Sequence, residues 1–147
     1  MDEVKLHYDV SAYDFTRAGE ASGKLKRSLK ELGFSPAVTR NVAISVYEAE
    51  INMVIHADGG VIDASITPEC ITVVLADKGP GIPNVELAMK AGYSTAPENV
   101  RSLGFGAGMG LPNIKKYTDE MNIDTVIGEG TTCLLYTSDA ADDRISV

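Results

Sequence analysis

In the stretch VYEAEINMVIH two polar side chains, Glu48 and Asn52, stand four residues apart in apolar surroundings. On a helix that spacing projects both from one face. An amide carbonyl is a good hard ligand for Mg2+, and a carboxylate one turn earlier can take a proton from a hydroxyl or water attacking a terminal phosphate. Taken alone, the pair is weak evidence, and an amphipathic helix whose polar edge meets solvent accounts for it better. Glu50 points elsewhere and is read as an ordinary helix residue.

Asp77-Lys78-Gly79-Pro80-Gly81 follows directly on the apolar run Ile71 to Ala76. A carboxylate at the end of a buried strand can accept a hydrogen bond from an exocyclic amine such as that of adenine, and the glycines let backbone approach a planar base. A tight turn after a strand uses the same residues. Further on, Gly104-Phe105-Gly106-Ala107-Gly108-Met109-Gly110-Leu111-Pro112 runs straight into a helical pattern. Alternate glycines permit positive φ and expose successive N–H groups, and the helix N-terminus adds partial positive charge, which suits phosphates. The spacing is neither G-x-G-x-x-G nor G-K-[ST], so the dinucleotide fingerprint and the P-loop are excluded. A flexible linker is the competing reading, but linkers seldom lead into proline at a first helical turn. Lys78, Arg101, Lys115 and Lys116 lie in or beside these loops and could offset phosphate charge. His7 and His56 have no second metal ligand at suitable spacing and are given no chemistry.

The elements that must position these residues follow from periodicity. Val4, Leu6, Tyr8 and Val10 alternate with polar residues as in a half-buried strand. Apolar residues at helical spacing predict a first helix from about Asp14 to Leu32, stopped by Gly33. Ser35 as N-cap and Pro36 at the first position open a second, mostly buried helix running to Ile55, broken by Asp58, Gly59 and Gly60. Val61 to Thr67 and Cys70 to Ala76 read as a hairpin turning at Pro68 and Glu69. The glycine- and proline-rich span from Asp77 to Gly110 reads as a functional lid. A third helix is expected from Leu111 to Met121, and then a strand from Ile123 before the turn Gly128-Glu129-Gly130. The sum is an α+β two-layer sandwich, a mixed, mainly antiparallel sheet with helices on one face.

At 147 residues the chain has room for one domain. Its 13 Lys and Arg against 21 Asp and Glu give a formal charge of −8, with no basic run to track a phosphate backbone, so nucleic acid is not expected as a partner. No signal-peptide pattern or membrane-length apolar stretch is seen, and a cytoplasmic location is expected. Cys70 and Cys133 lie in strand-like runs without metal or disulfide spacing and read as buried thiols.

In order, Glu48-x-x-x-Asn52, Asp77-x-Gly79-x-Gly81, Gly106-x-Gly108-x-Gly110-Leu111 and Gly128-x-Gly130-Thr131-Thr132 resemble the four boxes of the GHKL ATPase superfamily. The resemblance implies a Bergerat fold with ATP between the helices and a lid. Within the superfamily the chain most resembles the short serine kinases of bacterial partner-switching modules, the anti-sigma factors and the stress-signalling switch kinase. Carried over by position, Asn52 would bind Mg2+, Glu48 would act as base or orient the nucleophile, and Asp77 would recognise adenine. Gly79 and Gly81 would admit the base. Gly106, Gly108, Gly110 and Leu111 would present the lid backbone to the phosphates, and Thr131 would support the adenine pocket through its hydroxyl. The likeness covers nearly the whole chain up to Thr132. From Cys133 to about Asp143 the sequence instead resembles a translated sequencing adapter, so residues 1–132 are expected to form the ATPase domain and 133–147 a non-native tail, with no core-facing pattern from Thr137 onward.

Two functions are compatible with the motifs. One is a serine/threonine kinase using Mg·ATP to phosphorylate a small anti-sigma-antagonist-type protein. The other is a non-catalytic switch in which ATP orders the lid and gates binding of a sigma factor or phosphatase. Relatives of this kind often pair, so a homodimer is an expectation too.

Overall fold

The computed structural model describes residues 3–11, 16–56, 59–79, 89 and 114–138. Five strands and two helices succeed one another as β1 (Val4–Val10), α1 (Glu20–Glu31), α2 (Pro36–His56), β2 (Gly60–Ile66), β3 (Cys70–Asp77), β4 (Glu120–Val126) and β5 (Gly130–Ser138). The sheet order is β1-β2-β3-β5-β4, and every pairing among the described strands is antiparallel, in keeping with the expected mainly antiparallel sheet. β2 and β3 form the predicted hairpin in the register Ile66↔Ile71, closed by the Thr67 N–H donating to the Cys70 carbonyl at 2.9 Å.

Period-two alternation decides which face is covered. Ile62, Ala64 and Ile66 of β2, Ile71, Val73 and Leu75 of β3, and Cys133 and Leu135 of β5 are buried in one cluster with Leu25 and Leu29 of α1 and Val42, Val46 and Met53 of α2. Both helices therefore lie on the same face. The charged side chains of β1 and β4 alternate to the other side or to the edges.

α1 begins at Glu20, later than expected, because Gly19 stands at φ 92, a left-handed conformation no helix interior contains. Residues 12–15, in the expected first turn, are outside the described residues. At the other end Gly33, at φ 89, closes a Schellman motif in which the Phe34 N–H reaches the Leu29 carbonyl at 3.2 Å. Ser35 caps α2 as expected, its hydroxyl accepting from the Val38 N–H at 3.2 Å.

Three expectations are corrected here. The third helix does not reach Met121: residues 114–116 are helical, and β4 has begun by Glu120. The reason is that Met121 and Ile123 alternate inward, opposite Leu135 and Cys133, which is a strand's period. The core-facing pattern extends to Thr137, which is 6% exposed and pairs with Ile71, so β5 is an interior strand through Ser138. A threonine methyl and a branched Cβ suit an inward strand position. Cys133 is a buried thiol as expected, but Cys70 is only half-buried.

The register also gives His7 a neighbour that its sequence position conceals. It faces Asp63 across β1 and β2, with Nδ1 2.6 Å from the carboxylate and Nε2 3.3 Å from Asp9. The Asp63 hydrogen bond, reinforced by Asp9, holds the imidazole above its ordinary value. A raised folded-state value makes the protonated pair a stabilising contact that is fully present below the ordinary imidazole value and lost as pH rises through the folded one. Asp63→Asn is therefore expected to lower the His7 titration midpoint measured by NMR. The stability difference between variant and wild type is expected to shrink as pH rises through the wild-type midpoint.

Candidate functional site

Asp77 is the last residue of β3 and half-buried at the centre of the sheet. Its register partner on β2 is Gly60. A Cβ built on Gly60 would lie 2.2 Å from the Ala76 carbonyl, 2.6 Å from the Met53 methyl and 2.8 Å from the Asp77 Cα. On the opposite flank a Cβ on Gly130, which sits at φ 142, would lie 2.2 Å from the Asp77 carbonyl. Two glycines on neighbouring strands thus let backbone pack closely against both sides of Asp77, and neither position tolerates a side chain without displacing backbone.

The carboxylate is itself aimed. Its Oδ1 accepts the Thr131 N–H at 3.0 Å, which leaves the second oxygen for another donor. Burial pushes the Asp77 carboxyl above the usual carboxylate range, and the Thr131 N–H partly offsets this. Thr131 thus meets Asp77 through its backbone; its hydroxyl lies 2.9 Å from that of Thr125. Burial and then the Asp77 charge push the thiol of Cys133, which pairs with Leu75 on β3, up to about 12, so it is inert.

α2 supplies the second wall. Glu48 and Asn52 are both half-buried on it, one turn apart. Met53, the residue after Asn52, reaches the Gly60–Asp77 register with its methyl, so the turn carrying Asn52 lies next to the end of β3. Lys78 is exposed, and its N–H donates to the Gly59 carbonyl at 3.2 Å, tying the start of the next loop to the segment before β2. Gly79 is described and half-buried. Gly81, Gly106, Gly108, Gly110 and Leu111, with Arg101, lie outside the described residues. Lys115 and Lys116 are exposed, the latter with its Nζ 5.2 Å from the Tyr117 ring centre.

Sequence reasoning missed two residues. Gly60 reads as a helix breaker until the register sets it opposite Asp77. Glu50, read as ordinary, is 2% exposed and accepts three backbone N–H groups at the start of α1: Gly19 at 3.1 Å, Ala21 at 3.2 Å and Ser22 at 3.0 Å. A signal was available: α1 opens with a glycine that offers no side-chain cap, while α2 carries a carboxylate within its buried series.

Among the described residues no group of three or more His, Cys, Asp and Glu is placed to hold a metal ion, and no helix is long and apolar enough to cross a membrane.

The histidine kinase-like ATPase domain matches residues 13–137. Serine/threonine-protein kinase RsbT of Bacillus subtilis is 32% identical over 116 residues, which are 76% of this chain and 81% of that protein. An anti-sigma F factor of Clostridium beijerinckii is 35% identical over 101 residues, 65% of this chain and 67% of that one. Among solved structures, the RsbU and RsbW domains of a Mycobacterium tuberculosis protein align with a TM-score of 0.62 at 17% identity, over 91% of this chain and 32% of that longer one. The mycobacterial sensor histidine kinase MprB aligns with a TM-score of 0.52 at 18% identity, over 92% of this chain and 97% of that one. At such identities the two structures speak for the fold alone, an antiparallel sheet with helices on one face. With the family match spanning helices, sheet and the Asp77 cradle alike, the chain belongs to the histidine kinase-like ATPases, in the group that includes the RsbT kinase and the anti-sigma F factors.

Proposed function

We propose that this protein is an ATP-dependent serine/threonine kinase of a bacterial partner-switching module, acting on a small anti-sigma-antagonist-type protein. The observation that carries the reading is the Asp77 cradle: a half-buried carboxylate, one oxygen held by Thr131, with glycines on both flanking strands. Such a site offers a fixed acceptor to an exocyclic amine, which is what recognition of the adenine edge needs. The relatives named for serine/threonine kinase and anti-sigma activity support the nature of the reaction and of the partner.

In this reading Asn52 faces the phosphates across the pocket from Asp77. A lone amide carbonyl, with no carboxylate cluster among the described residues, is the donor set of an ion that keeps its waters and phosphate oxygens, which fits Mg2+. Bound there, Mg2+ would neutralise phosphate charge. Glu48, one helical turn earlier, accepts the proton of the attacking serine or threonine hydroxyl or aligns it. By the family resemblance Gly79 and Gly81 would admit the base, and Gly106, Gly108, Gly110 and Leu111 would present backbone to the phosphates. A cytoplasmic setting and a paired state belong to the same proposal, as does a sigma factor or phosphatase as further partner. The domain itself is read as residues 1–132, with 133–147 foreign in origin; alternation in Cys133-Leu134-Leu135-Tyr136 lets foreign residues complete β5.

Three outcomes test this. Glu48→Gln is expected to bind Mg·ATP within a few-fold of wild type but to transfer labelled γ-phosphate to a candidate antagonist about 100-fold more slowly or worse. Partner binding that is gated by nucleotide and survives the substitution, with no transfer by wild type to any antagonist, would instead favour a non-catalytic switch. Asp77→Asn is expected to weaken ATP about tenfold or more and to narrow the preference for ATP over GTP, measured by calorimetry, because an amide turns a donor toward the adenine amine. Resequencing the genomic locus is expected to show a different codon series from residue 133; an unchanged tail there would remove the foreign-origin reading.

A further inference from the structure

α2 carries the proposed phosphate-side residues, yet little in its composition sets which way it is turned. Val42, Val46, Ala49 and Met53 are buried toward the sheet, and Ile51, Val54 and Ile55 are buried as well, so from Ala49 to Ile55 apolar side chains surround most of the helix. A helix apolar on nearly every side gains about the same from burial at neighbouring rotations, because the hydrophobic effect has no direction. Hydrogen bonds have direction. Glu50 makes three, all to the first turn of α1, from a side chain that is 2% exposed. They are charge-assisted and lie at the positive end of α1, so they are stronger than neutral ones.

Geometry links this anchor to the pocket. Glu50 stands two residues after Glu48 and two before Asn52, which places it about 200° around the helix from each. The anchor and the functional pair are thus on opposite sides of one rigid cylinder. A rotation of about 20° would move side-chain tips lying about 5–6 Å from the axis by roughly 2 Å. That is enough to take an amide carbonyl out of reach of a metal ion whose ligand distances hold near 2.0–2.1 Å. The α1 side of the anchor is also held: Gly19, the first of the three donors, lies against the Tyr47 ring, where a Cβ would come within 2.9 Å of the ring edge.

We infer that Glu50 is a positioning residue for the phosphate side of the site: by capping α1 from α2 it sets the rotation of α2 and so the direction of Asn52 and Glu48. This rests on the reading of Asn52 as the Mg2+ ligand. Asp77 stands on β3, outside the rotating element, and is held by the Thr131 N–H of β5, so adenine recognition is affected far less than the Mg2+ side by loss of the anchor. The two halves of the pocket therefore respond differently, which a merely stabilising cap would not produce.

The test measures Kd for ATP with Mg2+ and with chelator, and Kd for adenosine, on the full chain and on Glu50→Gln and Asn52→Ala, with melting temperature recorded alongside. Glu50→Gln keeps the shape of the side chain and removes its charge and one acceptor. It is expected to lose about tenfold or more of the Mg2+-dependent gain in ATP affinity, while adenosine binds within about twofold of wild type. A lowered melting temperature with the Mg2+-dependent gain intact overturns the inference and leaves Glu50 a structural cap. An equal loss for ATP and adenosine overturns it as well. If Glu50→Gln loses the gain and Asn52→Ala keeps it, Glu50 still positions the helix, and it is the assignment of the metal to Asn52 that fails. Should Glu50→Gln not fold, Glu50→Asp, which keeps the charge on a shorter arm, gives the same readout: loss of the Mg2+-dependent gain supports the inference and its retention overturns it.

Discussion

β3 ends in an aspartate packed on both sides against glycine backbone, and the proposed site depends on that close approach. In an antiparallel sheet, residues directly opposite one another hold their Cβ atoms close, so an ordinary neighbour would crowd Asp77. Gly60 on β2 and Gly130 on β5 remove that crowding, and the Thr131 N–H takes one carboxylate oxygen. Even half-buried, the carboxylate loses solvation, and burial raises its pKa above the usual carboxylate range. The surrounding design keeps that cost tolerable by supplying a donor and leaving one side open. Everything else in the site is arranged relative to this point, since β3 is central in the sheet and the strands on either side are locked to it in register.

α2 meets the sheet with the opposite strategy. Its stretch from Ala49 to Ile55 is buried on nearly every side, mostly by apolar contact, which gives strong adhesion but weak orientation, and it carries its polar residues there as specific exceptions. Glu48 and Asn52 occupy a half-buried sector, and Glu50 is fully buried with three donors. A buried carboxylate without partners would be prohibitive; with three backbone donors at a helix N-terminus it becomes a directional joint. The same bonds satisfy N–H groups that the glycine start of α1 leaves without a side-chain cap. One side chain thus serves as the cap of one helix and the bearing of another.

Much of this was legible beforehand. The hairpin of β2 and β3, the Ser35-Pro36 opening of α2 and the Gly33 stop follow from local rules in which the residue and its neighbours suffice. The third helix was overrun into β4 because Met121 satisfies both a helical and an alternating pattern, and only pairing with Leu135 decides between them. The alternation that ends at Thr137 was missed for a related reason: a threonine is read as polar, though its methyl fills an inward strand position.

From residue order alone came the chemistry: a helix with Glu48 and Asn52, a strand ending in Asp77, glycine loops and a family-like succession of boxes. Those are properties of neighbours along the chain, and spacing of a few residues is enough to reveal them. Tertiary structure alone decided that Gly60 faces Asp77, that Thr131 holds Asp77 through its amide, that His7 meets Asp63, and that Glu50 binds the first turn of α1. Each of these joins residues 17 to 56 positions apart, through strand register or helix contact. Register is set by the burial of a whole face at once, and no local pattern contains it.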